Sequence, residues 1–259
     1  MWVNKYMINV LMCTYKSGDV LPLSLKPLVD FPGITKILIA DGPHGGPIKP
    51  GIKFDEPSVY KIAEKFNKSG KIHYEYTDTC KNRALKNNSV LKHTTDDCKW
   101  ILNVDSDEVY HEDGLKRLFE FILTTGNGYD KYRIKTIDPI DDFFHEIRIP
   151  DWKPRLYKYK KGYICPPGDC RAHQYVVDPN KINSHREAIE KLPEDICKIY
   201  HLNALRNASL PRKRIKTLKD GSYCWSGGKM KFYSEKFEID RKEIPNCILK
   251  LNKDTLWTI

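Results

Sequence analysis

Apolar positions recur along the first half of this chain with two alternating periods. Met7 to Cys13 (Met-Ile-Asn-Val-Leu-Met-Cys) is a short apolar run that reads as a buried strand and stops at the polar turn Thr14 to Asp19. Val20 to Phe31 spaces Leu21, Leu25, Leu28 and Val29 by threes and fours, which predicts a helix. Pro22 falls in its first turn, where proline is tolerated, and Pro27 is placed to break it late. Ile34 to Ala40 is a second apolar strand, ending in Asp41 and the glycine-rich Gly42-Pro43-His44-Gly45-Gly46-Pro47. Ser58 to Asn67 is an amphipathic helix with a serine cap, and Lys71 to Tyr76 a strand. Thr79 to His93 reads as a helix carrying Lys81, Asn82, Arg83 and Lys86. Trp100 to Val104 is a strand, Gly114 to Leu123 a helix and Tyr129 to Thr136 a strand.

Strand and helix therefore alternate over about the first 125 residues, which predicts an α/β fold with a largely parallel central sheet. In such sheets ligands bind beyond the carboxyl ends of the strands. Cys13-Thr14, Asp41 and Asp105 to Asp107 all fall at such ends, so three separated stretches are expected to meet at one crevice. After Thr136 the pattern changes. Asp138 to Glu146 is acidic and aromatic, Trp152 to Gly162 alternates apolar with basic residues like a strand with one wet face, and Ile196 to Leu202 is a short strand containing His201. A boundary near residue 205 divides a domain of residues 1–205 from a basic extension, residues 206–259.

The densest chemistry lies in Lys99-Trp100-Ile101-Leu102-Asn103-Val104-Asp105-Ser106-Asp107-Glu108. An apolar run ends in three carboxylates, which cannot stay unpaired inside a core and must sit where the strand leaves it. Residues i and i+2 of a strand share a side, so Asp105 and Asp107 would aim together. Two hard oxygen ligands suit Mg²⁺ or Mn²⁺ completed by substrate phosphates. The competing interpretation is a polar turn that caps the next helix.

The 259 residues are 40% hydrophobic, enough for a packed core, and no apolar run is long enough for a transmembrane helix. The opening residues lack a signal-peptide pattern, so a cytoplasmic protein with reduced thiols is expected. Cys165, Cys170 and His173 have a spacing that does not match a clean zinc motif. The net charge is +10, and from Arg206 onward 13 Lys or Arg stand against 6 Asp or Glu. Such a surface can face phosphates, nucleic acid or anionic lipid, or only solvent.

Several of these stretches together resemble the nucleotide-sugar-dependent glycosyltransferases of the GT-A fold, family 2 type. Trp100 to Glu108 resembles the family's D-x-D segment, Thr14-Tyr15 its first nucleotide-contacting turn, and Ile37 to Gly42 the strand whose Asp contacts base or ribose. Lys81-Asn82-Arg83-Ala84-Leu85, Pro154-Arg155-Leu156-Tyr157-Lys158 and Ile199-Tyr200-His201-Leu202 resemble further family segments in matching order. The resemblance covers most of residues 7–203. It departs after Asp41, where Gly-Pro-His-Gly-Gly replaces the usual acidic or serine residue, and at Ala172-His173-Gln174, where Gln174 cannot act as a base.

The resemblance implies a sheet of Rossmann-like GT-A type with flanking helices, and sugar transfer from a nucleotide-diphosphate donor to an acceptor hydroxyl. Donor contacts would come from Thr14, Tyr15, Asp41, Asn82, Arg83 and Asp105, with Lys81 or Arg83 on the diphosphate. Asp105, Asp107 and His201 would hold Mn²⁺ or Mg²⁺. Inversion by a single displacement would need a carboxylate base, for which Asp142 ranks first, then Asp141, with Glu146 and His173 behind them. Glycan and lipid-linked acceptors both fit, and the basic extension could then rest on an anionic membrane. The alternative is a nucleic-acid-binding or nucleotidyl-transferring protein that uses the basic extension with Tyr223, Trp225, Phe232 and Tyr233. No recognisable nucleic-acid motif supports it, and no nucleic-acid partner is expected.

Overall fold

The computed structural model describes residues 7–15, 17–42, 58–77, 83–124, 128–139, 143–146, 151–166, 176–180, 189–202, 215–217, 223–225, 231–233 and 237–250. Four strands, β1 (Met7–Thr14), β2 (Ile34–Asp41), β3 (Ile72–Tyr76) and β4 (Cys98–Asp105), run parallel in the order β3-β2-β1-β4. Helices α1 (Leu21–Asp30), α2 (Val59–Phe66) and α3 (Arg83–Leu91) connect them. The second half adds β5 (Glu108–Tyr110), α4 (Glu112–Thr124), β6 (Lys131–Ile137), β7 (His145–Glu146), β8 (Trp152–Lys158), β9 (Glu190–Lys191) and β10 (Lys198–His201). The sheet continues from β4 through β8, β6 and β10 to β5, with β9 beside β6. Five of its eight pairings are parallel; β8 runs antiparallel to both β4 and β6, and β5 antiparallel to β10. The chain is thus a mixed α/β fold around one large, mostly parallel sheet with helices packed on it, the α/β class that the alternation of strand and helix predicts.

Alternation along β1 shows why both faces are covered. Ile8, Val10 and Met12 face a core shared with Leu21, Leu25 and Leu28 of α1, Val59 and Ile62 of α2, and Leu115, Leu118 and Ile122 of α4. Leu11, between them, faces the opposite side with Ala84, Val90 and Leu91 of α3. A strand buried on both faces reads as one continuous apolar run, as Met7 to Cys13 does. The helix of Pro27 continues three residues beyond it to Asp30. Proline leaves the carbonyl four residues back without its helical donor. That carbonyl belongs to Leu23, and the Cys247 thiol donates to it at 3.7 Å.

Three short strands, β11 (Ile215–Thr217), β12 (Tyr223–Trp225) and β13 (Lys231–Tyr233), form a separate antiparallel sheet. Beyond it, β14 (Phe237–Glu238) pairs with β7, and α5 (Asn246–Leu249) follows. Ile239, Ile244 and Ile248 share a buried cluster with Val20, Val109, Ile137, Tyr200 and Leu202. Residues 237–250, beyond the expected boundary at 205, therefore pack against the first unit. No helix of the described residues is long and apolar enough to cross a membrane.

Candidate functional site

Strand register builds the site. Thr14 of β1 lies beside Asp41 of β2, Cys13 lies beside Asp105 of β4, and Asp41 lies beside Tyr76 of β3. Thr14, Asp41 and Asp105, drawn from three stretches, thus share the carboxyl edge of the parallel strands.

At the β2 end, Asp41 is buried and accepts from the Tyr74 hydroxyl at 2.8 Å and the Gly42 amide at 2.8 Å. Burial pushes its carboxyl above the ordinary range, against those two bonds and the nearby Lys86. Gly42 has φ +117°, and a Cβ there would lie 2.2 Å from the Thr77 carbonyl oxygen, so this turn requires glycine. Lys86, fully buried on α3, donates to the carbonyls of Thr14 at 2.7 Å and Gly42 at 2.5 Å. It ties the ends of β1 and β2 together, and burial pulls its ammonium below the usual lysine range.

The Asp-Ser-Asp-Glu turn sends its side chains in different directions. β4 ends at Asp105 and residues 106 and 107 form a turn, so the strand alternation that would aim Asp105 and Asp107 together stops short of Asp107. The Asp105 carboxylate accepts from Arg155 at 2.7 Å on one oxygen and from Arg83 on the other. Ser106 donates to Ser17 at 2.8 Å, and its carbonyl accepts from Ser24 at 2.6 Å, which fastens the turn to the start of α1. Glu108 is fully buried and takes two bonds from Arg155, at 2.8 and 2.7 Å, and one from Lys153 at 3.1 Å. Burial alone would raise its pKa, but Arg155 first and Lys153 next outweigh it and hold the carboxyl down at about 2.

Asp107 has a different neighbour. Its Oδ1 lies 3.8 Å from His201 Nε2, too far for a hydrogen bond. Antiparallel pairing of β10 with β5 sets His201 opposite Glu108, and the Leu202 amide donates to the Asp107 carbonyl at 2.8 Å. On its other side, His201 Nδ1 meets Asp138 at 2.6 Å, and Thr136 donates to Asp138 at 3.1 Å. Burial would raise the Asp138 carboxyl, but the His201 ring, Lys153 and Thr136 more than offset it and keep the group below its usual range.

This arrangement fits a cation on Asp107 and His201. An Nδ1–H held by a carboxylate leaves Nε2 with its lone pair outward, the usual support for a metal-bound histidine. At 3.8 Å the two atoms stand wider than the roughly 2.9 Å between neighbouring ligands of an octahedral ion bonded at about 2.0–2.1 Å, so an ion between them would draw the side chains together by somewhat under 1 Å. Asp105, by contrast, spends both oxygens on arginines.

Of the other expected residues, Tyr15 is half-buried in the turn after β1. Glu146 lies in β7, paired with Phe237. Asn82, Lys81, Asp141, Asp142 and His173 lie outside the described residues, as do the side chains of Tyr223, Trp225, Phe232 and Tyr233. Sequence reasoning passed over Asp138, Arg155 as an acid-binding group, and buried Lys86.

No family model matches the chain, and a search of curated proteins finds no relative. Among solved structures, the chain is similar to a fragment of S. aureus TarS, residues 1–349, at 18% identity and TM-score 0.46, over 76% of this chain and 61% of that one. The same fragment in complex with UDP aligns at 17% identity and TM-score 0.46, over 75% and 60%. 4-Diphosphocytidyl-2C-methyl-D-erythritolsynthase from Anaerococcus prevotii aligns at 14% identity and TM-score 0.42, over 73% and 88%. The chain thus spans about three fifths of the TarS fragment.

Proposed function

We propose that this chain is a metal-dependent glycosyltransferase that moves a sugar from a nucleotide-diphosphate donor to an acceptor hydroxyl with inversion. The observation that carries this reading is the meeting of Thr14, Asp41, Arg83, Asp105, Asp107 and His201 at one carboxyl sheet edge. Two buried polar atoms there, Thr14 Oγ1 and Arg83 Nε, have no hydrogen-bond partner among the described residues, as expected of groups that meet a ligand.

Asp41 and Thr14 would receive the nucleoside, and Arg83, held against Asp105, would present its guanidinium to the diphosphate. Asp107 and His201 would hold Mn²⁺ or Mg²⁺, with Asp138 orienting the histidine. The bound ion would supply Lewis-acid neutralisation of the departing diphosphate. In the transfer, the acceptor oxygen bonds to the anomeric carbon as the bond to the diphosphate breaks, and a carboxylate takes the hydroxyl proton. Asp142 and Asp141 are the proposed bases.

A panel of nucleotide sugars with Mn²⁺ or Mg²⁺, read by release of nucleoside diphosphate, tests the proposal. Slow hydrolysis of one donor, lost with EDTA and in Asp107→Ala, is the expected result. Absence of both turnover and donor binding by calorimetry overturns it.

A further inference from the structure

A second cluster of ligand-type side chains lies away from the carboxyl edge. His73 and Glu75 occupy alternate positions of β3, the end strand of the sheet, and so share one face. His93 reaches them from the turn just after α3, where its amide donates to the Val90 carbonyl at 2.9 Å. The Nε2 atoms of His73 and His93 lie 3.0 and 2.8 Å from the same Glu75 oxygen. One ligand atom from each of the three residues lies within 4.8 Å of the others, and they are the one such His, Cys, Asp or Glu group among the described residues. The two imidazoles stack, with ring centroids 3.9 Å apart and planes 33° from parallel.

Hydrogen bonding alone accounts poorly for this arrangement. His93 Nε2 is buried and close to Glu75, yet it makes no hydrogen bond of acceptable direction. If both rings were protonated to pair with Glu75, two imidazolium cations would face each other at 3.9 Å, with Lys92 adding a third positive charge 4.0 Å from the carboxylate. Two neutral imidazoles and one carboxylate around a dication remove both problems.

We propose that His73, Glu75 and His93 form a binding site for a late first-row transition-metal ion, zinc foremost. Imidazole nitrogen with carboxylate oxygen selects zinc and its neighbours over Mg²⁺ or Ca²⁺. Three protein ligands leave a fourth position for water or another ligand. Tetrahedral bonds of 2.0–2.1 Å set ligand atoms roughly 3.3 Å apart, so the two nitrogen-to-carboxylate spacings of 3.0 and 2.8 Å need only a few tenths of an ångström of side-chain opening. The ion would join the edge strand to the C-terminal end of α3, the helix whose first residue, Arg83, holds Asp105. This site is independent of the proposed sugar transfer and of Asp107 and His201.

Equilibrium dialysis of the full chain against Zn²⁺ tests the proposal, with a parallel sample carrying Asp107→Asn and His201→Ala. One bound equivalent should persist in that double variant and disappear in His93→Ala and in His73→Ala. Cobalt loaded in place of zinc should give a visible spectrum without a thiolate charge-transfer band, which separates this site from the cysteines. Zinc should raise the melting temperature of the wild type and not of His93→Ala. If His93→Ala does not fold, Glu75→Gln keeps the side-chain volume while removing the anionic ligand, and should lose the equivalent. Failure of the wild type to bind zinc at micromolar concentration, binding unchanged by all three substitutions, or a thiolate spectrum overturns the site.

Discussion

Asp105 and Glu108 on one side of a single turn, and Asp107 on the other, show two uses of the same functional group. Glu108 is fully enclosed and takes three hydrogen bonds from Arg155 and Lys153, while Asp105 is held by two guanidiniums. Asp107 stands 3.8 Å from an imidazole that a second carboxylate, Asp138, has already oriented. A saturated charge can only hold structure, whereas a charge left short of its neighbour can take a ligand. The fold has thus divided three neighbouring acids into a brace of two and one that stands outside it.

The sharpest way to break the comparison is to remove the brace. Arg155→Met should destabilise the chain by about 3–5 kcal/mol, because it leaves Glu108 buried without its main partner. Denaturant melts measure the loss, and a second change, Glu108→Met, should recover much of it, since the penalty lies in the uncompensated charge. Next in size is Asp138→Asn, which weakens the hold on His201 Nδ1. It should lower metal affinity and metal-dependent turnover by roughly 10–100-fold with little effect on folding. Titrating manganese against donor hydrolysis checks this.

Acid should then affect the brace in a set window. Glu108 sits at about 2 in the folded chain against its ordinary 4.5, so it contributes stability that is complete above 4.5. That contribution falls as the pH drops from 4.5 towards 2, and Glu108→Gln should flatten the dependence in acid melts. The smallest effect belongs to Asp107→Asn, which should change stability by no more than about 0.5 kcal/mol while donor hydrolysis is lost. A large fall in stability in that variant would make Asp107 part of the brace and end the distinction.

Much of the scaffold was legible along the chain. The runs at Met7, Ile34 and Trp100 became parallel strands buried on both faces, and their polar ends, Thr14, Asp41 and Asp105, came into register as expected. The helix starting near Val20 was legible too, but its continuation through Pro27 was not. Proline's local cost is a sequence property, whereas the Cys247 thiol that meets the freed carbonyl lies 224 residues away. The expected common aim of Asp105 and Asp107 failed for a related reason. The alternation of a strand holds only while the strand lasts, and this one yields to a turn that Ser17 and Ser24 hold from outside.

What the sequence determined by itself is therefore what short-range physics determines: period-two and period-3.6 burial, the points where apolar runs must surface, and the placing of charge at those points. Tertiary structure alone decided which charges meet. Arg83 lies 22 residues and Arg155 50 residues from Asp105, and Asp138 lies 63 residues from His201. His73 and Glu75 meet His93 only because α3 packs back against β3. Such pairings depend on how layers dock, on β8 entering antiparallel between β4 and β6, and on the burial that makes a charge require a partner. Local periodicity carries no information about partners that distant, so the brace, the oriented histidine and the second metal-type cluster emerge only when the sheet is assembled.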